Sequence, residues 1–312
     1  MSIDYWFDNP NKPYNKYVVV RIERSDGLEM EFGSGTDWHI PNDGLRNIAN
    51  NPYTVNTTPN VLTDGSTVVS TRTEEGDRTL VADYLGEDED FARQSAINFF
   101  NPKFKFIMNV TYRGRTLRCE GRQIGFMASE GNVYQPVSIT WTILTPNPYW
   151  ADSEITDNTL DYANARFGFP YVSHVKEVLP NGERHPIGLV VSQLVYNGEG
   201  IIYNDGDLPT MYTVQIKANS ELQNPAIVKD GRFVRYFGRM IGGDILEIDF
   251  EASPPTVTLN GDDVIPLCDR ESSFTNMQMQ VGKNIFELVC DNPEQIFNAE
   301  VKVIFRKKWL GV

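Results

Sequence analysis

Few residues in this chain are placed to do chemistry. Its 312 residues include His39, His174 and His185 as the only histidines. None stands in a His-Glu-x-x-His, Gly-x-Ser-x-Gly or phosphate-loop context, so zinc hydrolysis, serine nucleophilic attack and nucleotide binding are not indicated. His185 precedes Pro186 in an expected turn, the setting of a solvated loop histidine. The carboxylate pairs Glu74-Glu75 and Asp262-Asp263 adjoin turn signals. A glycosidase needs two carboxylates at a fixed separation across a cleft, and solvation accounts for these pairs more simply. Asn204-Asp205-Gly206-Asp207 has calcium-binding residue types but neither the EF-hand spacing nor its terminal Glu, so an Asx-rich turn explains it. Cys119, Cys268 and Cys290 are odd in number, with no Cys-x-x-Cys and no paired Cys/His spacing. Neither a disulfide framework nor a zinc site is expected from them; they read as reduced thiols of a protein made in a reducing cytoplasm. No catalytic residue, cofactor or metal is therefore expected, and the chain does not read as an enzyme.

The elements that would position any site are strands. In the last third, Tyr212, Val214 and Ile216 alternate with Thr213, Gln215 and Lys217, the period of a half-buried strand. Gly242-Gly243-Asp244 supplies a tight turn, after which Leu246, Ile248 and Phe250 alternate with Ile245, Glu247 and Asp249. Asn260-Gly261 after Val257-Thr258-Leu259 is a strong hairpin signal. Val301–Phe305 reads as a closing strand, followed by the basic run Arg306-Lys307-Lys308. These units predict an antiparallel β-sandwich of the jelly-roll type.

The first half is β-rich with one helical interruption. Tyr17–Ile22 and Leu28–Phe32 are strand-like and joined by Ser25-Asp26-Gly27; Arg78–Ala82 is a further short strand. The segment Gly86–Pro102 is the one good helix, about 87–100. Acidic residues crowd its start, where the helix dipole favours negative charge, and Phe91, Ala92, Ser95, Ala96, Phe99 and Phe100 form its apolar face. Asn101-Pro102 ends it. A hairpin follows over Lys103–Met127, turning near Arg113-Gly114-Arg115, and Gln135–Leu144 adds a strand. Asn51–Thr67 is polar and proline-containing, and reads as extended segments and loops. Thr145–Trp150, with Pro146 and Pro148, is the expected boundary between a domain of residues 1–147 and one of 148–312.

The order of the late units carries a resemblance. Asn-x-Gly-Asp at 204–207 leads into a strand, and Asn224-Pro225 follows. Next come Gly-Asp-x-Leu-x-Ile-Asp at 243–249, Val-x-Leu-Asn-Gly at 257–261, Ser272-Ser273-Phe274 and Gly282-Lys283-Asn284. The series resembles the C-terminal domain of the distal tail proteins of siphovirus-type phages and of prophages of Gram-positive bacteria. The helix, Asn-Pro and hairpin order resembles their N-terminal ring domain, and Phe167–Tyr171 resembles the opening of their second domain. The resemblance implies a mainly β fold, with a β-rich ring domain holding one helix and a galectin-like sandwich. It implies a structural virion protein of the tail tip or baseplate, assembled in the bacterial cytoplasm. Its homohexameric ring would join the major tail tube protein to the tail-associated hub or lysin protein, with receptor-binding protein as a further partner, and DNA would leave through its centre. Between Asn204 and Leu288 the connections are short, so the long arm by which some members carry receptor-binding proteins is not expected.

Other properties bear on this reading. The formal net charge of −14 repels phosphate backbones, which argues against sequence-specific nucleic-acid binding. No apolar run approaches membrane-spanning length, and the opening MSIDYWFDNPNK lacks a basic start and apolar stretch, so neither membrane insertion nor a signal peptide is expected. For a ring, Asn51–Thr67 is the segment least suited to a monomer core, which makes Tyr53, Val55, Val61 and Leu62 the expected inter-subunit contacts. The alternative is a carbohydrate-binding module for host wall polysaccharide, with Tyr162, Phe167, Phe169 and Tyr171 as sugar-stacking or interface aromatics; an enzyme ranks third.

Overall fold

The computed structural model describes residues 17–49, 51–60, 63–131, 135–160, 163–166, 176–178, 184–186, 193–196 and 199–312. The chain divides into two units, Met1–Ile155 with Gly206–Leu208 and Arg306–Val312, and Thr156–Asp205 with Pro209–Phe305.

The first unit contains β1 (Val18–Arg24), β2 (Glu29–Gly33), β3 (Trp38–His39), β4 (Leu45–Arg46), β5 (Tyr53–Pro59), β6 (Ser66–Thr73) and β7 (Gly76–Tyr84). The helix Glu89–Phe99 follows, then β8 (Lys105–Tyr112), β9 (Arg115–Ala128), β10 (Ser138–Thr145) and β11 (Trp150–Asp152). The main sheet runs β2-β1-β8-β9-β10-β7-β3, with β4 on β7 and β11 on β9. Each central strand buries alternate residues: Val18, Val20 and Ile22; Phe106, Met108 and Val110; Ile139, Trp141 and Ile143. Full burial of such a side chain contributes about 1.5–3 kcal/mol. The β8–β9 hairpin turns at Arg113-Gly114, both at positive φ, as its sequence predicts.

The helix begins where its capping chemistry is. The Asp88 carboxylate accepts from the Phe91 amide at 2.9 Å, and Glu89 and Asp90 occupy the first turn. Its far end is capped from β1: the Arg24 guanidinium donates to the carbonyls of Asn98 and Phe99, both at 2.9 Å. The Asp26 carboxylate fixes that guanidinium at 2.8 and 2.7 Å, and the hydrogen bond to Arg24 holds Asp26 below the usual carboxylate range. Phe99 and Phe100 reach the core, where Phe100 lies 5.1 Å from both Phe126 and Trp141 and 6.1 Å from Phe32. The expected apolar face needs one correction, because Phe91 is 71% exposed. Ala92, Ala96 and Phe99 define the face that meets the sheet, and Phe91 sits about 100° round the helix from Ala92.

Thr145–Trp150 is pinned by a buried cation. Arg78 on β7 donates to the Thr145 hydroxyl and the Pro148 carbonyl, and its guanidinium lies 4.6 Å over the ring of Trp150. Burial lowers the Arg78 pKa. Trp150 is fully buried in the first unit's core and donates to the Ile48 carbonyl at 2.7 Å.

The second unit opens with β12 (Thr156–Thr159) and two small strand pairs, β13 (Ala163–Arg166) with β16 (Gln193–Tyr196) and β14 (Lys176–Val178) with β15 (Arg184–Pro186). The strands β17 (Glu199–Asn204), β18 (Tyr212–Ala218), β19 (Leu222–Gln223), β20 (Ala226–Lys229), β21 (Arg232–Arg235) and β22 (Arg239–Met240) follow. The last of the unit are β23 (Ile245–Asp249), β24 (Thr256–Leu259), β25 (Asp262–Asp263), β26 (Gly282–Val289) and β27 (Ala299–Phe305). One sheet runs β12-β27-β18-β23-β24-β25 and the other β17-β26-β20-β21. All pairings are antiparallel. The two sheets enclose one core that includes Tyr212, Val214, Ile216, Leu246, Ile248, Phe250, Phe286 and Val303. The alternation read in β18 and β23 is therefore the inward face of the sandwich. Asn260-Gly261 takes positive φ at both positions between β24 and β25, the geometry that makes Asn-Gly the favoured pair.

After β27 the chain returns to the first unit as β28 (Lys308–Trp309), which pairs with β11, Trp150 opposite Trp309. The Trp309 indole donates to the Asp152 carboxylate at 2.8 Å.

Candidate assembly interface

β5 and β6 form a two-stranded sheet of their own. Among the described residues β5 and β6 pair only with each other, from Tyr53 opposite Thr73 to Pro59 opposite Ser66, with a bulge after Asn56. The residue types favour extended backbone, since Thr, Val and Tyr fit a pleated surface. The turn end is held by the Asn60 amide on the Gly65 carbonyl at 3.0 Å and the Thr67 hydroxyl on the Asn60 amide oxygen at 2.8 Å. Asn56 donates across the strands to Ser70 at 3.0 Å. At the base, the Tyr149 hydroxyl meets the Thr73 hydroxyl at 3.0 Å, and the Glu74 amide donates to the Pro52 carbonyl at 2.8 Å.

Every residue of β5, and every residue of β6 before Thr73, is exposed. Tyr53 and Val55 share one face of the ribbon, where Val55 stands opposite Thr71. Val61 and Leu62 lie outside the described residues. Val68 and Val69 on β6 are exposed apolar residues that the sequence reading did not single out; the signal was a Val-Val pair inside a strand otherwise made of Ser, Thr and Arg. Exposure is 69% at Tyr53 and 66% at Val69. A ribbon with no buried face is marginal in water by itself. This one presents apolar side chains to solvent and, among the described residues, two strand edges without a partner.

A second feature of the first unit complements it. β8 stops at Lys105, opposite Arg122, whereas β9 runs on to Ala128 with β10 on one side. Beside the remaining edge, Ile97, Asn98, Phe100, Asn101 and Pro102 from the end of the helix face Gln123–Phe126 across a groove of about 610 Å³. Ile124 and Met127 are exposed on this stretch.

The residues considered for chemistry sit elsewhere. His39 is buried on β3 opposite Asp83, and burial lowers its pKa despite the nearby Asp37 and Asp83. Cys119 is buried, and desolvation pushes its thiol up to about 12; Cys268 and Cys290 are pushed up to about 11, again chiefly by desolvation. The Asp207 amide donates to the Lys308 carbonyl at 2.8 Å, and its carboxylate accepts from the Leu310 amide at 3.1 Å, so this part of the Asn204–Asp207 turn anchors the returning chain. Among the described residues no group of His, Cys, Asp and Glu is arranged to hold a metal. Tyr162, Phe167, Phe169 and Tyr171 lie outside the described residues, as do His174 and the expected domain opening at Phe167–Tyr171.

Likeness to known proteins bears on this architecture. Residues 205–309 match the family model described as siphovirus-type tail component, C-terminal domain. The crystal structure of the SPP1 Dit (gp 19.1) protein is similar over 93% of this chain and 98% of that one, with a TM-score of 0.62 at 11% identity. A chain of the phage P2 baseplate, in its activated conformation with Ca, is similar over 95% of this chain and 99% of that one, with a TM-score of 0.50 at 13% identity. No curated protein matches. The family model covers about a third of the chain, and its description is that of a siphovirus-type tail component. Residues 205–309 are similar to that C-terminal domain, and the likeness to the SPP1 Dit structure is one of fold over nearly the whole chain.

Proposed function

We propose that this chain forms a hexameric ring at the phage tail tip, joining the last ring of the tail tube to the tail-associated hub protein and passing DNA through its centre. One observation carries the reading: a chain with a fold like that of SPP1 Dit carries a ribbon, β5 with β6, in which no described residue is buried in its own core. Such a segment gains its stability from a neighbour. A ring needs a heterologous interface, in which two different surfaces of one subunit meet on adjacent copies. The ribbon supplies one surface, with Tyr53, Val55, Val61 and Leu62 among its contacts. Receptor-binding protein is a further partner. Assembly takes place in the host cytoplasm, in keeping with the three free thiols. The acidic balance of −14 per chain suits a channel that lets DNA slide without gripping it. Light scattering after size exclusion tests the ring: the mass should be six times the 35.4 kDa chain, and a monomer at all concentrations would refute it.

A further inference from the structure

We infer that β6 of one copy adds as a strand to the open edge of β9 on the next, lying in the groove between residues 123–128 and the end of the helix; this rests on the ring reading. The first support is the unpaired edge. In an antiparallel sheet alternate residues aim both backbone groups outward, so an edge without a partner presents a row of donors and acceptors. β9 has β8 on this side only as far as Arg122.

The second support is what the edge lacks. Proteins normally guard such edges with charges, proline or a covering element. The stretch here reads Gln-Ile-Gly-Phe-Met-Ala, with neither a charge nor a proline, and Met127 is 66% exposed. The helix runs beside this edge, with Arg93 donating to the Ser129 carbonyl at 3.2 Å, and the groove between them leaves residues 123–126 open to a pairing strand.

The third support is that the same chain carries a strand suited to it. β6 has no proline, whereas β5 ends in Pro59, which cannot donate to a ladder. β6 is eight residues long, roughly 26 Å at about 3.3 Å per residue, enough to cover residues 123–128. Its only charge is Arg72, near the base, so its uncharged length meets an uncharged edge. Val68 and Val69 then have Ile97, Ile124 and Phe126 as apolar neighbours in the groove. Main-chain hydrogen bonds supply the affinity of such strand addition, and alternate side chains its register. Ribbon and groove are different surfaces of one chain, as head-to-tail closure of a ring requires.

The test uses the full chain with Met127 replaced by the photo-crosslinker p-benzoylphenylalanine, prepared as a mixture of light and isotope-heavy protein. Irradiation should yield covalent dimers and higher multimers, in which the photo-crosslinker at position 127 of one copy is joined to the tryptic peptide 47–72 of another. A ring of full mass whose crosslinks fall outside that peptide would overturn this docking and leave the ring reading standing. A chain that stays monomeric without crosslinks would overturn both. A second variant, Ile124→Lys, puts a charge on the open edge. It should weaken ring assembly at least tenfold with an unchanged thermal midpoint, whereas Phe91→Lys, outside the groove, should assemble normally. Assembly of Ile124→Lys at wild-type concentration would overturn the docking.

Discussion

The guanidinium of Arg115 lies over the indole of Trp309, 3.6 Å from the ring centroid. This contact joins the start of β9 to the final strand. With the Asp152 hydrogen bond and the pairing to Trp150, it returns the end of the chain to the first unit. Replacing Trp309 by Ala removes a cation–π contact and a hydrogen bond to a carboxylate, together about 2–4 kcal/mol. Chemical denaturation should show the loss in the transition of the first unit, and Arg115→Ala should lose less.

Two phenylalanines on one helix should behave oppositely. Phe99 is 5% exposed and Phe91 71%. Phe99→Ala should cost about 3–5 kcal/mol, and Phe91→Ala within about 0.5 kcal/mol of nothing. Equilibrium unfolding of the two variants checks the contrast, which a helix packed through its first turn would reverse.

His39 should make stability depend on pH. Burial holds its pKa in the fold below the ordinary 6.5, so the native state favours the neutral ring and the unfolded chain binds the proton more readily. Its contribution is complete above about 6.5 and is lost as the pH falls through the depressed folded value. The melting temperature should therefore drop from pH 7 toward pH 5, and His39→Gln should flatten that part of the curve. A wild-type profile that rises on acidification in this range would contradict the assignment.

Removing the ribbon should separate assembly from folding. Tyr53 and Thr73 are cross-strand partners, so residues 54–72 can be replaced by Gly-Ser without stretching the backbone. The shortened chain should unfold within a few degrees of the parent, because none of the described side chains it loses is buried. Its mass in solution should be that of a monomer. Rings that persist at full mass would remove the ribbon from the interface.

Local rules made much of the fold legible. Asn260-Gly261 and Arg113-Gly114 are turns because only certain residues accept positive φ, and that signal is local. The buried stripe of β18 and β23 follows from a period of two. Phe91 misleads because hydrophobicity alone does not say where a helical face ends; Ala92 and Ala96, the smaller residues, are the ones against the sheet. The return of β28 to β11 joins residues more than 150 positions apart, and its only sequence sign was a Trp after a basic run. The ribbon was legible as extended and unsuited to a core, but its pairing and Val68-Val69 were not, since strand pairing depends on a partner that periodicity does not name. The open edge of β9 was invisible for the same reason: it exists because β8 stops at Lys105 while β9 continues.

The central claim, a ring at the tail tip, is tested most directly by cryo-electron microscopy of the purified chain and of its ribbon-deleted form. The account predicts class averages of the intact chain with sixfold symmetry and an open centre, and none from the deleted form. Isolated particles of one 35.4 kDa chain throughout, or closed assemblies without a central opening, would contradict it.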